Sequence, residues 1–198
     1  MEKPSISLIQ DLKNQTGAGM MDCKNALVEC GNDIAKATDL LRKKGIARAE
    51  SKMGRDTGEG LIESYIHFGS RLGVLVEVRS ETDFTSRTPE FKQLAHDIAM
   101  QIAATEPRWV SRNEVPKEEI AHEIEIYKEE AKQSGKPEKI LDKIAEGKLE
   151  KFYKDNCLLE QPFLKNAEIT VEDFIKENIS KFRENILIKR FVRFKIED

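Results

Sequence analysis

Residues that could carry out chemistry are few and scattered along this 198-residue chain. Its three histidines, His67, His96 and His122, lack the close spacing typical of metal ligands and are expected to be structural or solvent-facing. The segment 135–137 lacks the earlier Gly and the following Ser or Thr of a phosphate-binding loop. The Gly17-Ala18-Gly19 run follows a helix, whereas a dinucleotide fingerprint follows a strand. With no nucleophile motif either, we predict no catalytic residue, no metal site and no cofactor, and hence a protein that is not an enzyme.

One short segment, 81–85, has the residue types of a binding loop. It reads Glu-Thr-Asp-Phe-Thr and lies between an apolar strand and a helix start, which predicts a loop at a sheet edge. Phe84 beside Asp83 on such a loop is a plausible anchor for insertion into a partner. Alternatively, Phe84 folds back under the next helix and Asp83 makes a turn hydrogen bond. The local sequence leaves both alternatives open.

Two further features have weaker binding character. The basic stretch from Arg42 to Arg55 could contact phosphates, although Lys and Arg near a helix carboxyl end commonly interact with the helix dipole. No aromatic residue within it could stack on bases. Met20 and Met21 could face a partner, since Met adapts to irregular surfaces, although core packing is the commoner role.

The first fifty residues predict a small three-helix bundle. Ser5 caps a helix with the stripe Ile6, Ile9 and Leu12, which ends at the turn beginning with Thr16. A second helix runs from about Met20 to Cys30. A third has Asn32 as its cap and the stripe Ile34, Ala37 and Leu41, and it closes at Lys43-Lys44-Gly45. A basic helical connector with a glycine-rich end follows over 46–60.

Beyond the connector, the spacing of apolar residues changes from a helical period to the alternation typical of strands. A hairpin is predicted with Ile62, Ile66 and Phe68 on one face of its first strand. Its second strand, 72–79, points Val74, Val76 and Val78 inward. The end of the chain alternates again and predicts a third strand, which would complete an antiparallel sheet. That strand places five residues on one face: Ile186, Ile188, Val192, Phe194 and Ile196.

Helices are predicted between the second and third strands. Thr88-Pro89 starts one that carries the apolar stripe from Phe91 to Ile102 and that Pro107 ends. Two long charged helices form a hairpin over about 116–155, broken at 135–137. Thr170 caps a shorter helix. The fold class is therefore α+β, and we place the domain boundary near residue 56, giving units of 1–56 and 57–198.

Composition limits the function classes. The 36 acidic and 33 basic residues give a net charge of −3, which excludes a polybasic nucleic-acid coat and an acidic disordered tail. No apolar run approaches the roughly 20 residues of a membrane-spanning helix. The amino terminus does not resemble a secretory signal. Three cysteines without metal-type spacing favour a reduced, cytoplasmic compartment.

Two long motifs resemble the bacterial elongation factor Ts family, the nucleotide exchange factors of the GTPase elongation factor Tu. Residues 12–27, LKNQTGAGMMDCKNAL, are similar to the amino-terminal signature of that family, with Lys13 where Arg is usual. Residues 77–87, EVRSETDFTSR, are similar to its second signature, with Arg79 for a usual Asn and Thr85 for a usual Val. Segments 157–162 and 190–194 also resemble the family, so the likeness covers the whole chain and fits its short form.

The resemblance implies a ubiquitin-associated-like amino-terminal domain that docks on the GTPase. Docking is expected to involve Leu12, Thr16, Gly17, Ala18, Gly19, Met20 and Met21. It also implies that the loop Thr82, Asp83, Phe84 and Thr85 enters the GTPase near its magnesium and phosphate site and promotes GDP release. Short forms of the family are expected to pair as homodimers, for which an exposed sheet edge gives a physical motive.

Two other functions remain as alternatives. An RNA- or ribosome-binding module would use Arg48, Lys52 and Arg55 and would bind less tightly as salt rises. The near-neutral net charge argues against it, and we expect no direct contact with nucleic acid or a membrane. A small-molecule enzyme would need a constellation of residues that the sequence does not contain.

Overall fold

The amino-terminal part of the chain forms the expected three-helix bundle. A computed structural model describes residues 3–196 and gives α1 as Ile6–Thr16, α2 as Met20–Glu29 and α3 as Ile34–Glu50. Their apolar faces meet in one cluster, whose buried members are Ile9, Leu12, Cys23, Ala26, Leu27, Ala37 and Leu41. Ser5 caps α1 as predicted, its hydroxyl accepting from the Leu8 amide at 3.2 Å.

Three local predictions for this bundle were wrong. Ile6 is 79% exposed and does not belong to the apolar stripe of α1. Asp33 rather than Asn32 caps α3, because its carboxylate accepts from the Lys36 amide at 3.1 Å. The third helix also does not close at Gly45 but continues to Glu50.

The continuation of α3 has a tertiary cause. Gly45 lies against α8, Val171–Phe182, and a Cβ atom at Gly45 would lie 3.2 Å from the Ser180 hydroxyl oxygen. Ala49 is fully buried in a second apolar core, which is built on the sheet described below. Packing of this face outweighs the low helix propensity of one glycine. Residues 46–50 of the predicted basic connector are therefore the last part of α3, and the domain division at residue 56 stays a prediction.

The second core is built on a three-stranded antiparallel sheet. Its strands are β1 Glu59–Ile66, β2 Leu72–Ser80 and β5 Ile186–Lys195, in the order β1-β2-β5. The inner face carries the buried Val74, Val76 and Val78, and α5 Pro89–Thr105 packs within the same cluster. Thr88 caps α5 as predicted, its hydroxyl accepting from the Phe91 amide at 3.2 Å. These elements confirm the predicted α+β class.

The predicted face of β5 was wrong because the strand contains a bulge. Val78 pairs with Ile188 but Glu77 pairs with Arg190, so Lys189 is an extra residue. Ile186 and Ile188 are buried, whereas Val192, Phe194 and Ile196 are 40%, 69% and 58% exposed. An extra residue exchanges the two faces of every position beyond it.

Helices and a small strand pair complete the molecule. The predicted helical hairpin is present as α6 Lys117–Gln133 and α7 Leu141–Asn156, and α8 is Val171–Phe182 with the Thr170 cap. Three short 3₁₀ turns lie at Arg112–Glu114, Glu138–Ile140 and Leu158–Glu160. The antiparallel pair β3 Pro162–Phe163 and β4 Asn166–Thr170 was not predicted. Among the described residues, no helix is both long and apolar enough to span a membrane.

Candidate functional site

The segment 82–86 forms a single helical turn rather than an open loop. It directly follows β2, and α4 covers Asp83–Ser86 with Thr82 as its N-cap residue. Phe84 is 84% exposed on this turn. The alternative in which Phe84 folds back under α5 is therefore wrong, and the ring is presented to solvent.

Residues on the other side of the turn hold it against the core. Thr85 and Ser86 are both buried, and the Ser86 hydroxyl donates to the Asp83 carbonyl at 3.0 Å. The Asp83 carboxylate pairs with Arg87 at 2.9 Å, and this pair is largely in water, where it contributes little to stability. The turn thus has a fixed inner side and an outer side formed by Phe84. We call residues 82–86 the presenting turn.

A carboxylate from a distant part of the chain fixes the start of the presenting turn. Glu184, between α8 and β5, accepts from the Thr82 amide at 3.0 Å and from the Thr82 hydroxyl at 2.6 Å. The Thr85 side chain also lowers the pKa of this carboxyl group. Partial burial raises the pKa of Glu184, but these donors outweigh it, so that the pKa lies below the ordinary value. Sequence reasoning missed Glu184, because no local pattern links residues 102 positions apart.

The amino-terminal site residues divide into supporting and exposed ones. Leu12 is fully buried, so it supports the surface and does not form it. The Thr16 hydroxyl donates to the Leu12 carbonyl at 2.7 Å and accepts from the Ala18 amide at 3.3 Å. Gly17 has a φ of 66°, a left-handed conformation that glycine adopts without strain. These contacts fix the turn that leads into α2.

Beyond that turn the first residues of α2 face solvent. Met20 is 46% exposed and Met21 is 63% exposed, so the core-packing alternative for this pair was wrong. Gly19 is the N-cap residue of α2. The exposed methionines lie on the first core and the presenting turn on the second, so the structure shows two separate exposed apolar features.

Basic residues of the connector are occupied by contacts within the chain. Arg48 makes two hydrogen bonds to Asp22, at 3.0 and 2.9 Å, which lower the pKa of Asp22. Lys52 donates to the Arg183 carbonyl at 2.6 Å, and Arg55 pairs with Glu81 at 3.6 Å. These contacts give the three residues a structural role and weaken the RNA-binding alternative.

The outer face of the sheet has a group of exposed apolar residues and no covering element among residues 3–196. It carries Ile62 at 68%, Ile66 at 63%, Leu75 at 45% and Phe194 at 69% exposure. A shallow groove runs between Ile66, Leu75, Phe194 and Ile196. Contiguous exposed apolar surface of this kind is typical of an interaction face.

A charged cluster lies within the same sheet. Arg79 and Arg190 each donate to Glu77, both at 2.7 Å. Together they hold the pKa of Glu77 below its ordinary value. Arg79, which stands where the family usually has Asn, therefore has a partner within this chain.

Metal and cofactor binding find no support among the described residues. No group of three or more His, Cys, Asp or Glu side chains in 3–196 could hold a metal ion. Two of the three histidines bond to neighbouring side chains: His67 to the Tyr65 hydroxyl at 2.9 Å and His96 to Glu63 at 3.1 Å.

Comparison with known proteins gives one consistent family. Residues 31–198 match the family described as Elongation factor TS. Elongation factor Ts of Fervidobacterium nodosum is 54% identical over 97% of this chain and 98% of its own length. Those of Thermosipho melanesiensis and Desulfosudis oleivorans are 55% and 49% identical, with coverage of 96% or more of each chain. The protein therefore belongs to the elongation factor Ts family of translation elongation factors.

Proposed function

We propose that this protein is the guanine nucleotide exchange factor of elongation factor Tu and acts in the cytoplasm. It binds the GDP form of that GTPase and promotes GDP release, so that GTP can be loaded. Family membership supports this function. The observation in the structure that carries it is Phe84, 84% exposed on a turn whose neighbouring residues Thr85 and Ser86 are buried.

The mechanism uses the presenting turn as a wedge. Phe84 inserts into the GTPase near its magnesium and phosphate site, and Asp83 makes a polar contact that orients the ring. Bound GDP owes much of its affinity to magnesium and to oriented backbone donors. Displacing either weakens nucleotide binding, and by linkage the nucleotide weakens binding of the exchange factor by the same factor.

Such a protein needs no catalytic group of its own. No covalent bond changes during exchange, and the relative concentrations of GTP and GDP decide which nucleotide rebinds. We therefore propose that it is not an enzyme and requires no cofactor. The exposed Met20 and Met21, supported by Thr16 and the turn at Gly17, provide the second contact, through which the amino-terminal bundle docks on the GTPase.

Release of a fluorescent GDP from elongation factor Tu tests this function. The wild-type protein is expected to accelerate release strongly, and Phe84→Ala is expected to lower that acceleration by at least about tenfold, as loss of an interface hot spot does. Phe68→Ala is the matched control, because Phe68 is 98% exposed but lies on the turn between β1 and β2. Unchanged release with the wild type would refute the function. Equal activity of the two variants would refute the role of Phe84.

We further propose that the protein is a homodimer in which the outer faces of two sheets meet. The occupant of this face is a second copy, because one end of the face forms an apolar groove between Ile66, Leu75 and Phe194 and the sheet is open, with two edges, β1 and β5. A twofold arrangement places the same groove on both sides of the contact. Covering it removes from water the exposed residues Ile62, Ile66, Leu75 and Phe194.

A further inference from the structure

We propose that Glu184 is the positioning residue of the exchange reaction: its carboxylate holds the presenting turn in the orientation that aims Phe84 at the GTPase. This inference rests on the proposed function. Glu184 is not expected to contact the partner. It acts through Thr82, which directly precedes Asp83 and Phe84.

The contacts of Glu184 fix the start of the presenting turn. One carboxylate oxygen accepts from the Thr82 amide at 3.0 Å and the other from the Thr82 hydroxyl at 2.6 Å. The Thr82 side chain makes no capping bond to α4, although Thr82 is its N-cap residue. Hydrogen bonds to an ionised group are stronger than those between neutral groups. The hydroxyl is therefore used to fasten the turn to the core instead of capping a single helical turn.

Thr85, which stands where the family usually has Val, lies on the buried side of the presenting turn. Thr85 is only 7% exposed, and a buried hydroxyl without a partner destabilises the fold. The Thr85 side chain acts favourably on the ionised Glu184, whose pKa it helps to lower. The two hydrogen bonds from Thr82 to one carboxylate, directly before Asp83 and Phe84, restrict the orientation of the turn.

The residues before and after Glu184 are fixed by hydrogen bonds of their own. Asn185 donates through its amide to Glu81 at 2.6 Å and through its side chain to the Arg55 carbonyl at 2.8 Å. The preceding Arg183 has a φ of 60°, and its amide donates to the Ile179 carbonyl at 2.9 Å. The turn 183–185 is thereby fixed to α8, to the end of β2 and to the connector. A carboxylate on a fixed turn can impose an orientation on the residues that it binds.

Preorganisation of this kind has a kinetic signature. An interface loop that is already ordered loses less conformational freedom when it inserts, so the benefit appears in the step that displaces the nucleotide. Initial docking also involves the amino-terminal bundle, which lies on a different core. Loss of Glu184 is therefore expected to lower the maximal GDP release rate more than it raises the half-saturating concentration of the exchange factor.

Two readouts on the full-length protein test this inference. Glu184→Ala removes the acceptor and Glu184→Gln removes its charge, while Glu172→Gln on α8, an exposed partner of Lys176, is the control. We expect amide hydrogen exchange at 82–86 to accelerate at least about tenfold in Glu184→Ala and less in Glu184→Gln. The maximal release rate should fall about tenfold, with the half-saturating concentration changed less than about threefold.

The outcomes separate this inference from the function on which it rests. Unchanged exchange protection at 82–86 in Glu184→Ala, or an effect confined to the half-saturating concentration, would overturn the positioning role. A fall in release rate that equals the fall in the folded fraction, measured by circular dichroism, would also overturn it. If the wild type fails to release GDP, the proposed function is refuted, and hydrogen exchange alone decides whether Glu184 orders the turn.

Discussion

Phe84 shows how a single exposed side chain can be held in place by residues that are not exposed. The ring has no partner of its own within the described chain, and its orientation depends on buried Thr85 and on the contact between Thr82 and Glu184. The residue types of 82–85 indicated a binding segment, and its exposure decided between the two alternatives. Glu184 could not be predicted, because its role depends on the return of the chain from α8 to β5.

The charge on Glu184 should make the stability of the turn dependent on pH. Its pKa is lowered in the folded state, because bonds from Thr82 and Thr85 outweigh the opposing effect of burial. A lowered carboxyl pKa contributes stability that is present above the ordinary value of 4.5 and is lost as the pH falls through the folded-state pKa. Hydrogen exchange protection at 82–86 should therefore exceed that of Glu184→Gln near neutral pH and approach it in acid.

Comparison of the wild type with Glu184→Gln separates the pH effect of Glu184 from that of other carboxyl groups. Asp22 and Glu77 also have lowered pKa values and lose their contributions in the same direction. They are present in both proteins, so their effects cancel in the difference. A difference in protection that stays constant from neutral pH through the acid range, instead of shrinking as the pH falls below the ordinary carboxyl pKa, would contradict an ionised Glu184.

At the scale of helices and strands, the spacing of apolar residues predicted most of the fold. The helical hairpin, α5, α8 and the three strands follow from apolar spacing and from the caps at Ser5, Thr88 and Thr170. Failures occurred where packing overrode local preference. Burial of Ala49 in the second core continues α3 past Gly45. The bulge at Lys189 reverses which sheet face each later residue of β5 occupies. Neither event has a signature within a few residues of the chain.

The pairing of β1 with β2 depends on one glycine. Gly60 has a φ of 146°, and a Cβ atom there would lie 2.3 Å from the Val78 carbonyl oxygen. Gly60→Ala must therefore shift the backbone of β2 or open the edge of the sheet. We expect the free energy of unfolding to fall by about 2–3 kcal/mol, as backbone strain and overpacking together produce.

Chemical denaturation with urea measures this effect. Gly58→Ala is the control, since a Cβ atom at Gly58 meets no atom within 4 Å. That variant should stay within about 0.5 kcal/mol of the wild type, as surface substitutions usually do. A fall for Gly60→Ala that does not exceed the fall for Gly58→Ala would show that the sheet adjusts without strain.

At the scale of the whole molecule, two small cores are joined through α3. The first core holds the exposed methionines and the second holds the presenting turn, so α3 and its contacts with α8 relate the two surfaces proposed to bind the GTPase. The outer sheet face is a third exposed apolar surface, formed by other residues. The apolar share of the sequence is only 39%, yet sixteen large apolar side chains among the described residues are exposed. Their exposure is explained if partners cover them.

The proposed dimer predicts that a charge at Leu75 weakens self-association. Leu75 lies on the central strand and is 45% exposed on the outer face, so a charge introduced there would lie within the proposed contact. Twofold symmetry places two such carboxylates in one interface, where desolvation and repulsion both oppose association. We expect the dissociation constant of Leu75→Glu to rise at least about a hundredfold.

Sedimentation at micromolar concentration separates the two outcomes. The wild type should sediment at twice the chain mass of 22.6 kDa and Leu75→Glu at the chain mass itself. Leu164→Glu is the control, because Leu164 is 52% exposed on the turn between β3 and β4, away from this sheet, and it should leave the dimer intact. A wild-type protein that sediments as a single chain would refute the dimer. A dimer that survives Leu75→Glu would move the contact to another surface, because an apolar sheet interface does not accommodate two buried carboxylates.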